Sequence, residues 1–139
     1  MVAIDSVNPS LVLGGAGEAA VAARVRDEIR AVGLEVEIAN VAPGRPNVVG
    51  MLDASASGRT LILCGHLDTV GVAGMEAPFT PVERGGRVFG RGSQDMKGGI
   101  AAIIGAAAMI AARGLRGGRL AEIDTELRAR AARRHSTRR

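Results

Sequence analysis

A chain of 139 residues, 47% of them apolar, is long enough for one domain with a hydrophobic core and too short for two full-sized domains. Two Phe and no Trp or Tyr argue against a surface that stacks aromatic side chains on nucleic-acid bases. The single cysteine, Cys64, excludes an internal disulfide and is typical of a reducing compartment.

The net charge of +4 is unevenly distributed along the chain. Residues 1–112 carry nine Lys and Arg against eleven Asp and Glu, whereas residues 113–139 carry nine Arg against three acids. The basic character therefore belongs to the C-terminal segment. Basic segments bind nucleic acid or acidic lipid in some proteins, but this composition is also typical of an unstructured end.

The first regular element predicted is a helix over residues 16–32, where Val21, Val25, Ile29 and Val32 form one apolar stripe. Gly33 is suited to the helix C-terminus. Strict alternation over residues 34–38 then predicts a half-buried strand, and a second strand is predicted over residues 47–52, after a break at Pro43–Pro46.

Residues 60–64 contain three consecutive large aliphatic residues, Leu61 to Leu63, which predict a strand buried on both faces. Cys64 at its end is expected to be a small apolar filler of the sheet core. A long loop over residues 69–87 ends in a hairpin turn at Gly85-Gly86, and a second helix is predicted over residues 96–112. This order of helices and strands predicts an α/β fold.

We also expect a soluble, cytoplasmic protein. The apolar run over residues 98–112 has 15 residues, below the ~20 that span a bilayer, so it predicts a buried core helix. The first residues lack the features of a signal peptide, since Asp5 and Pro9 interrupt the apolar start.

The candidate functional residues are His66, Asp68 and Asp95. The first two follow the apolar strand, where open α/β sheets place their ligand crevices, and residues two apart in an extended segment point the same way. His66 could then bind a metal while Asp68 orients its ring. Asp95 lies among glycines at the start of a helix. The alternatives are a His–Asp hydrogen bond in a loop and a helix N-cap at Asp95.

Together, His66-Leu-Asp68-Thr-Val70 after an apolar strand and Gly90-Arg-Gly-Ser-Gln-Asp95-Met-Lys97-Gly-Gly99 before a helix resemble a known family. It is the zinc aminoacylase/carboxypeptidase family, which includes acetylornithine deacetylase, succinyl-diaminopimelate desuccinylase and carboxypeptidase G. The resemblance covers roughly residues 4–118, including Ser6-Val-Asn-Pro9 and Gly44-Arg-Pro-Asn-Val48. It implies a three-layer zinc-peptidase catalytic domain, with a mixed sheet and flanking helices.

The resemblance also implies roles for the candidate residues. His66 would bind one zinc ion, Asp95 would bridge two zinc ions, and Asp68 would orient His66. A pair of zinc ions in such a site generates a hydroxide that attacks an amide carbonyl. Cobalt or manganese would also suit one His with carboxylates. No catalytic role is assigned to Lys97 or Arg91.

The chain departs from the family pattern after about residue 118. The family has a Glu-Glu pair, the general base and a metal ligand, about 35 residues after the bridging Asp, but residues 128–132 read Arg-Ala-Arg-Ala-Ala and the chain contains no Glu-Glu. The other histidine, His135, has none of the expected neighbours. A separate lid or dimerisation domain is also missing, so a homodimer is expected only in a full-length form.

We therefore divide the chain into residues 1–118, the N-terminal part of a truncated catalytic domain, and residues 119–139, a basic Arg/Ala-rich tail. The tail is interpreted as the product of a shifted reading frame or, alternatively, as a basic helix over residues 120–134. The expected function is hydrolysis of amide bonds in small N-acylated amino acids or peptides, inactive in this fragment. The alternative is a non-catalytic module that uses the basic tail on nucleic acid or an acidic partner.

Overall fold

The computed structural model of the protein describes residues 1–54 and 57–124. They form two helices and six strands, in the order α1 (Ala19–Ala31), β1 (Glu35–Ala42), β2 (Arg45–Asp53), β3 (Thr60–Gly65), β4 (Val82–Arg84), β5 (Arg87–Phe89), α2 (Gly98–Arg113) and β6 (Arg119–Asp124). All of the strands and helices predicted from the sequence up to residue 113 are therefore present, with ends shifted by a few residues.

Helix α1 forms because its apolar residues recur every three or four positions and face the sheet. Val21, Val25 and Ile29 are fully buried, while Arg24 and Glu28 form an ion pair on the exposed side. The helix ends where Gly33 takes a left-handed conformation with φ of +90°, which a residue with a side chain adopts only at a cost. The predicted helix and its stop signal are confirmed.

Four strands form a mixed sheet in the order β1-β2-β6-β3. Strands β1 and β2 are an antiparallel hairpin, β6 pairs antiparallel with β2, and β3 pairs parallel with β6. A separate hairpin of β4 and β5 turns at Gly85-Gly86. Helix residues and sheet residues share one buried cluster, which includes Ile29, Val48, Ile100 and Leu120. The predicted α/β class with a mixed sheet and flanking helices is confirmed.

Strand β3 is more exposed than its sequence predicts. Leu61 and Ile62 are 53% and 54% exposed, and Cys64 is exposed as well. The prediction of a strand buried on both faces, with Cys64 as a core filler, is therefore wrong. The reason is that β3 lies at the edge of the sheet. Among the described strands only β6 pairs with it, and α2 contacts little of its length.

The predicted boundary at residue 118 is also wrong for the residues that directly follow it. Arg119–Asp124 form strand β6, which lies between β2 and β3, and its Leu120 is fully buried. The interpretation of residues 120–134 as a helix fails for the same residues. Backbone hydrogen bonds to two neighbouring strands do not depend on the charge of the segment, so composition is a poor guide here. The rest of the predicted tail, residues 125–139, lies outside the described residues.

Helix α2 and the turn before it make a helical span longer than the apolar run counted from the sequence. Ser93–Arg113 has 21 residues, and its most apolar 18-residue window has a mean hydropathy of 1.4 and is 22% buried. By length and composition alone this span could cross a membrane, although core helices of soluble proteins meet the same criterion. One face of α2, with Ile100, Ile104 and Ala107, packs into the hydrophobic cluster.

Candidate metal centre

The loop that follows β3 alternates between buried and accessible side chains. Leu67 and Thr69 are buried, whereas His66 and Asp68 are only partly buried and face the same cleft. This is the period of two expected for an extended segment. The buried Leu67 anchors the loop in the core, so that the two polar side chains on either side of it are held at the carboxyl end of β3.

His66 lies between two carboxylates. Its Nδ1 is 2.9 Å from Asp68 Oδ1, and its Nε2 is 2.9 Å from Asp95 Oδ1. The structure thus brings together all three residues singled out from the sequence. Partial burial lowers the pKa of His66, but the hydrogen bond to Asp95 and the charge of Asp68 outweigh it, so the net pKa lies above its ordinary value.

Asp95 reaches His66 from an irregular turn, Ser93–Lys97, that precedes α2. The backbone of Asp95 and Met96 is not helical, the peptide bond between them is cis, and α2 begins only at Gly98. No side chain caps α2, so the alternative of Asp95 as an N-cap is wrong. The Asp95 side chain is instead exposed at the cleft.

Gly92 explains how the turn approaches the first loop so closely. It has φ of +79°, and a Cβ at this position would lie 2.8 Å from Thr69 Cγ2. Any side chain here would therefore push the turn away from the loop that carries His66 and Asp68. The crowding of glycines around Asp95 in the sequence has, at this position, a direct steric reason.

Lys97 lies beneath the turn and away from the cleft. It is fully buried, and its Nζ donates a hydrogen bond of 2.6 Å to the carbonyl oxygen of Ile4. Burial lowers the pKa of this ammonium group. Lys97 thus joins the turn to the N-terminal segment. Arg91 lines the cleft.

The cleft has a volume of about 230 Å³ and is lined by His66, Asp68, Asp95 and neighbouring residues of both loops. His66 Nε2 and Asp95 Oδ1 fit two adjacent positions around a metal. Two ligands of one tetrahedral zinc ion lie roughly 3.3 Å apart, close to the separation here. Within residues 1–54 and 57–124, no group of three His, Cys, Asp or Glu side chains could hold an ion.

Three residues near the site were not singled out from the sequence: Asn8, Glu18 and Arg45. Asn8 Nδ2 donates a hydrogen bond of 2.7 Å to Asp68 Oδ2. Arg45 contacts Asn8, and Glu18 pairs with Arg45. The available signals are Ser6-Val-Asn-Pro9, which contains Asn8, and Gly44-Arg-Pro-Asn-Val48, which contains Arg45; both belong to the resemblance. No local pattern indicates that Asn8 meets a loop 60 residues later.

Comparison with known proteins agrees with the resemblance. Residues 62–121 match the model of peptidase family M20/M25/M40. Over 85 residues, the chain is 41% identical to N-formyl-4-amino-5-aminomethyl-2-methylpyrimidine deformylase from Bacillus subtilis, covering 57% of this chain and 20% of that protein. Over 55 residues it is 44% identical to succinyl-diaminopimelate desuccinylase from Acidovorax ebreus, covering 37% and 14%. The chain thus spans a fifth or less of these curated relatives.

Solved structures share the fold at low sequence identity. An M20 family metallo-carboxypeptidase from Sulfolobus solfataricus superposes with a TM-score of 0.75 at 18% identity, over 88% of this chain and 28% of that one. A dinuclear metal-binding M20 peptidase from Bacillus subtilis gives 0.59 at 15%, over 91% and 32%. Residues 62–121 of this chain are therefore similar to peptidase family M20/M25/M40, and the described residues share part of the fold of these M20 peptidases.

Proposed function

We propose that this chain contributes metal ligands to a hydrolase of amide bonds in N-acylated amino acids or small peptides. In this proposal His66 and Asp95 bind metal and Asp68 orients His66. The observation that carries it is the separation of 2.9 Å between His66 Nε2 and Asp95 Oδ1 in an open cleft. A metal-free protein gains little from placing an exposed carboxylate there, because exposed ion pairs contribute only about 0–1 kcal/mol.

The relatives support the reaction class. Matched proteins include a deformylase, a desuccinylase, a tripeptidase and human carnosine dipeptidase 1, all of which act on small amides. A bound metal would polarise the amide carbonyl and lower the pKa of a bound water. The residues of this chain would hold the metal, with Asp68 keeping the His66 proton on Nδ1 so that Nε2 is available. Zinc is the proposed metal, with two ions in a complete site and cobalt or manganese as substitutes.

Two ligands are too few for a tight site, since catalytic zinc usually has three protein ligands and a water. The chain also contains no Glu-Glu pair to supply a general base. We therefore expect the 139-residue chain to bind zinc weakly and to hydrolyse no N-acylated amino acid measurably.

We further propose that it is a cytoplasmic protein, which fits its single cysteine.

The proposal is tested by titrating the chain with zinc and with cobalt, and by assaying release of amine from N-formyl, N-acetyl and N-succinyl amino acids and from dipeptides. Weak binding of metal at the cleft, seen by perturbation of His66 resonances, supports the proposal. Absence of metal binding at His66 up to millimolar zinc contradicts it. Binding of DNA or RNA that weakens with added salt would instead favour the alternative based on the basic tail, residues 119–139.

Metal binding should depend on pH through His66. A raised pKa keeps the proton on the imidazole to a higher pH than usual, and metal must displace that proton from Nε2. Below the pKa, zinc affinity should therefore rise about tenfold per pH unit, and above it the affinity should level off. Titrations at several values between about pH 5 and 8 measure this. An affinity that does not change over this interval would exclude His66 as a ligand.

A further inference from the structure

We propose that Asn8 is a positioning residue: its side chain holds the Asp68 carboxylate against His66, and the ion pair of Arg45 and Glu18 holds Asn8. The metal-binding consequence rests on the proposed function, while the contacts themselves do not. A chain of polar contacts thus runs from the cleft to the start of α1.

The two oxygens of Asp68 have different partners. Oδ1 lies 2.9 Å from His66 Nδ1, and Oδ2 accepts a hydrogen bond of 2.7 Å from Asn8 Nδ2. Because both oxygens are held, rotation of the carboxylate out of the plane that suits His66 breaks at least one short hydrogen bond. Asn8 is 6% exposed, so little water is available to replace it.

The orientation of the Asn8 amide follows from its own partners. Its Oδ1 accepts a hydrogen bond of 2.8 Å from the backbone N–H of Ser10 and one of 3.3 Å from Arg45 Nη1. The oxygen must face these donors, so the NH₂ group faces Asp68. A flipped amide would place its oxygen against a carboxylate and its NH₂ against a cation, which is unfavourable on both sides.

Arg45 is in turn held by a buried acid. Its Nε lies 2.7 Å from Glu18 Oε2, and the Glu18 side chain is 1% exposed. Buried ion pairs of this kind contribute little net stability, because desolvating two charges costs about as much as their attraction returns. We therefore attribute to the ion pair of Arg45 and Glu18 the orientation of Arg45 toward Asn8 rather than stabilisation of the fold.

The backbone holds the same two segments together independently of the Asn8 side chain. The Asn8 N–H donates to the Thr69 carbonyl and the Thr69 N–H donates to the Ser6 carbonyl, each at 2.9 Å. Ser6 Oγ donates to the Leu67 carbonyl at 2.8 Å. Truncating the Asn8 side chain should therefore leave the segments joined, while Asp68 becomes free to turn.

The consequence for the metal concerns the orientation of the His66 ring. A fixed Asp68 carboxylate accepts the hydrogen bond of Nδ1–H and so holds the ring with Nε2 facing the cleft and Asp95. Without this orientation the ring can turn, and Nε2 leaves the position from which it could bind metal beside Asp95.

The experiment compares Asn8→Ala with Ser6→Ala in the full chain. Ser6 is the matched control, because it joins the same two segments but does not contact Asp68. Three quantities are measured for each: zinc affinity, the free energy of unfolding, and, without metal, the rate at which the His66 Nδ1 proton exchanges with solvent, from NMR. Direct partners of a metal ligand are worth about 10–100-fold in metal affinity, and Asn8 lies one contact further out.

We expect Asn8→Ala to weaken zinc binding by up to about 10-fold and to speed exchange of the His66 Nδ1 proton, with Ser6→Ala changing only the free energy of unfolding. Asn8→Asp, which places a second acid beside Asp68, should weaken binding at least as much. An unchanged exchange rate in folded Asn8→Ala would overturn the proposal. Should the unaltered chain bind no zinc, the proposed function fails, and the proton-exchange measurement still decides the role of Asn8.

Discussion

His66→Ala should weaken zinc binding at the cleft by at least about 100-fold. Loss of an outer contact alone costs about 10–100-fold, and this change removes the ligand itself. Only Asp95 would then remain of the two donors that lie 2.9 Å apart. Titration with cobalt, followed by its visible absorption, measures the loss. His66→Gln, which keeps much of the volume of the ring, separates the loss of the ligand from the loss of packing.

The matched control is His135→Ala, which removes the only other histidine of the chain. This variant should bind zinc as the unaltered chain does, since the family pattern assigns no role to His135. The assignment is contradicted if His135→Ala weakens binding while His66→Ala does not. In that case the metal is held by the basic C-terminal segment and not by the cleft.

Leu67→Ala should lower the free energy of unfolding by about 2–5 kcal/mol. Leu67 is fully buried in the cluster shared by helices and sheet, and removing most of its side chain leaves a cavity there. Because Leu67 lies between His66 and Asp68, the loop should lose its anchor as well. Denaturation with urea, monitored by far-UV circular dichroism because the chain lacks Trp and Tyr, measures the change.

Leu13→Ala is the control for this prediction, because it makes the same change at a fully exposed side chain. Its effect should stay within about 0.5 kcal/mol. Equal losses in the two variants would contradict the described core. A loss in Leu67→Ala with unchanged metal affinity would show that the loop is held by its backbone hydrogen bonds rather than by its buried leucine.

Local patterns predicted the elements of this fold well. The stripe through Val21, Val25 and Ile29 predicted α1, and Gly33 marked its end because few other residues adopt a positive φ. The hairpin turn at Gly85-Gly86 was found for the same reason. These signals depend on neighbours within a few positions along the chain, so they are contained in the sequence itself.

Two predictions that depended on distant neighbours were wrong. Three aliphatic residues in a row indicated a strand buried on both faces, but Leu61 and Ile62 are exposed at a sheet edge. An arginine-rich composition indicated a tail from residue 119, but Arg119–Asp124 form a strand inside the sheet. Burial and pairing depend on which segment lies alongside, and that information is not local.

For the candidate site, the sequence by itself determined the chemistry: one imidazole and two carboxylates, in two motifs specific enough to indicate the family. Only the tertiary structure decided their arrangement. It brings His66 Nε2 to 2.9 Å from Asp95 Oδ1 across 29 positions of the chain, and it places Asn8 on Asp68 across 60. The physical reason is that a donor atom acts over about 3 Å, whereas sequence motifs specify only side chains a few residues apart.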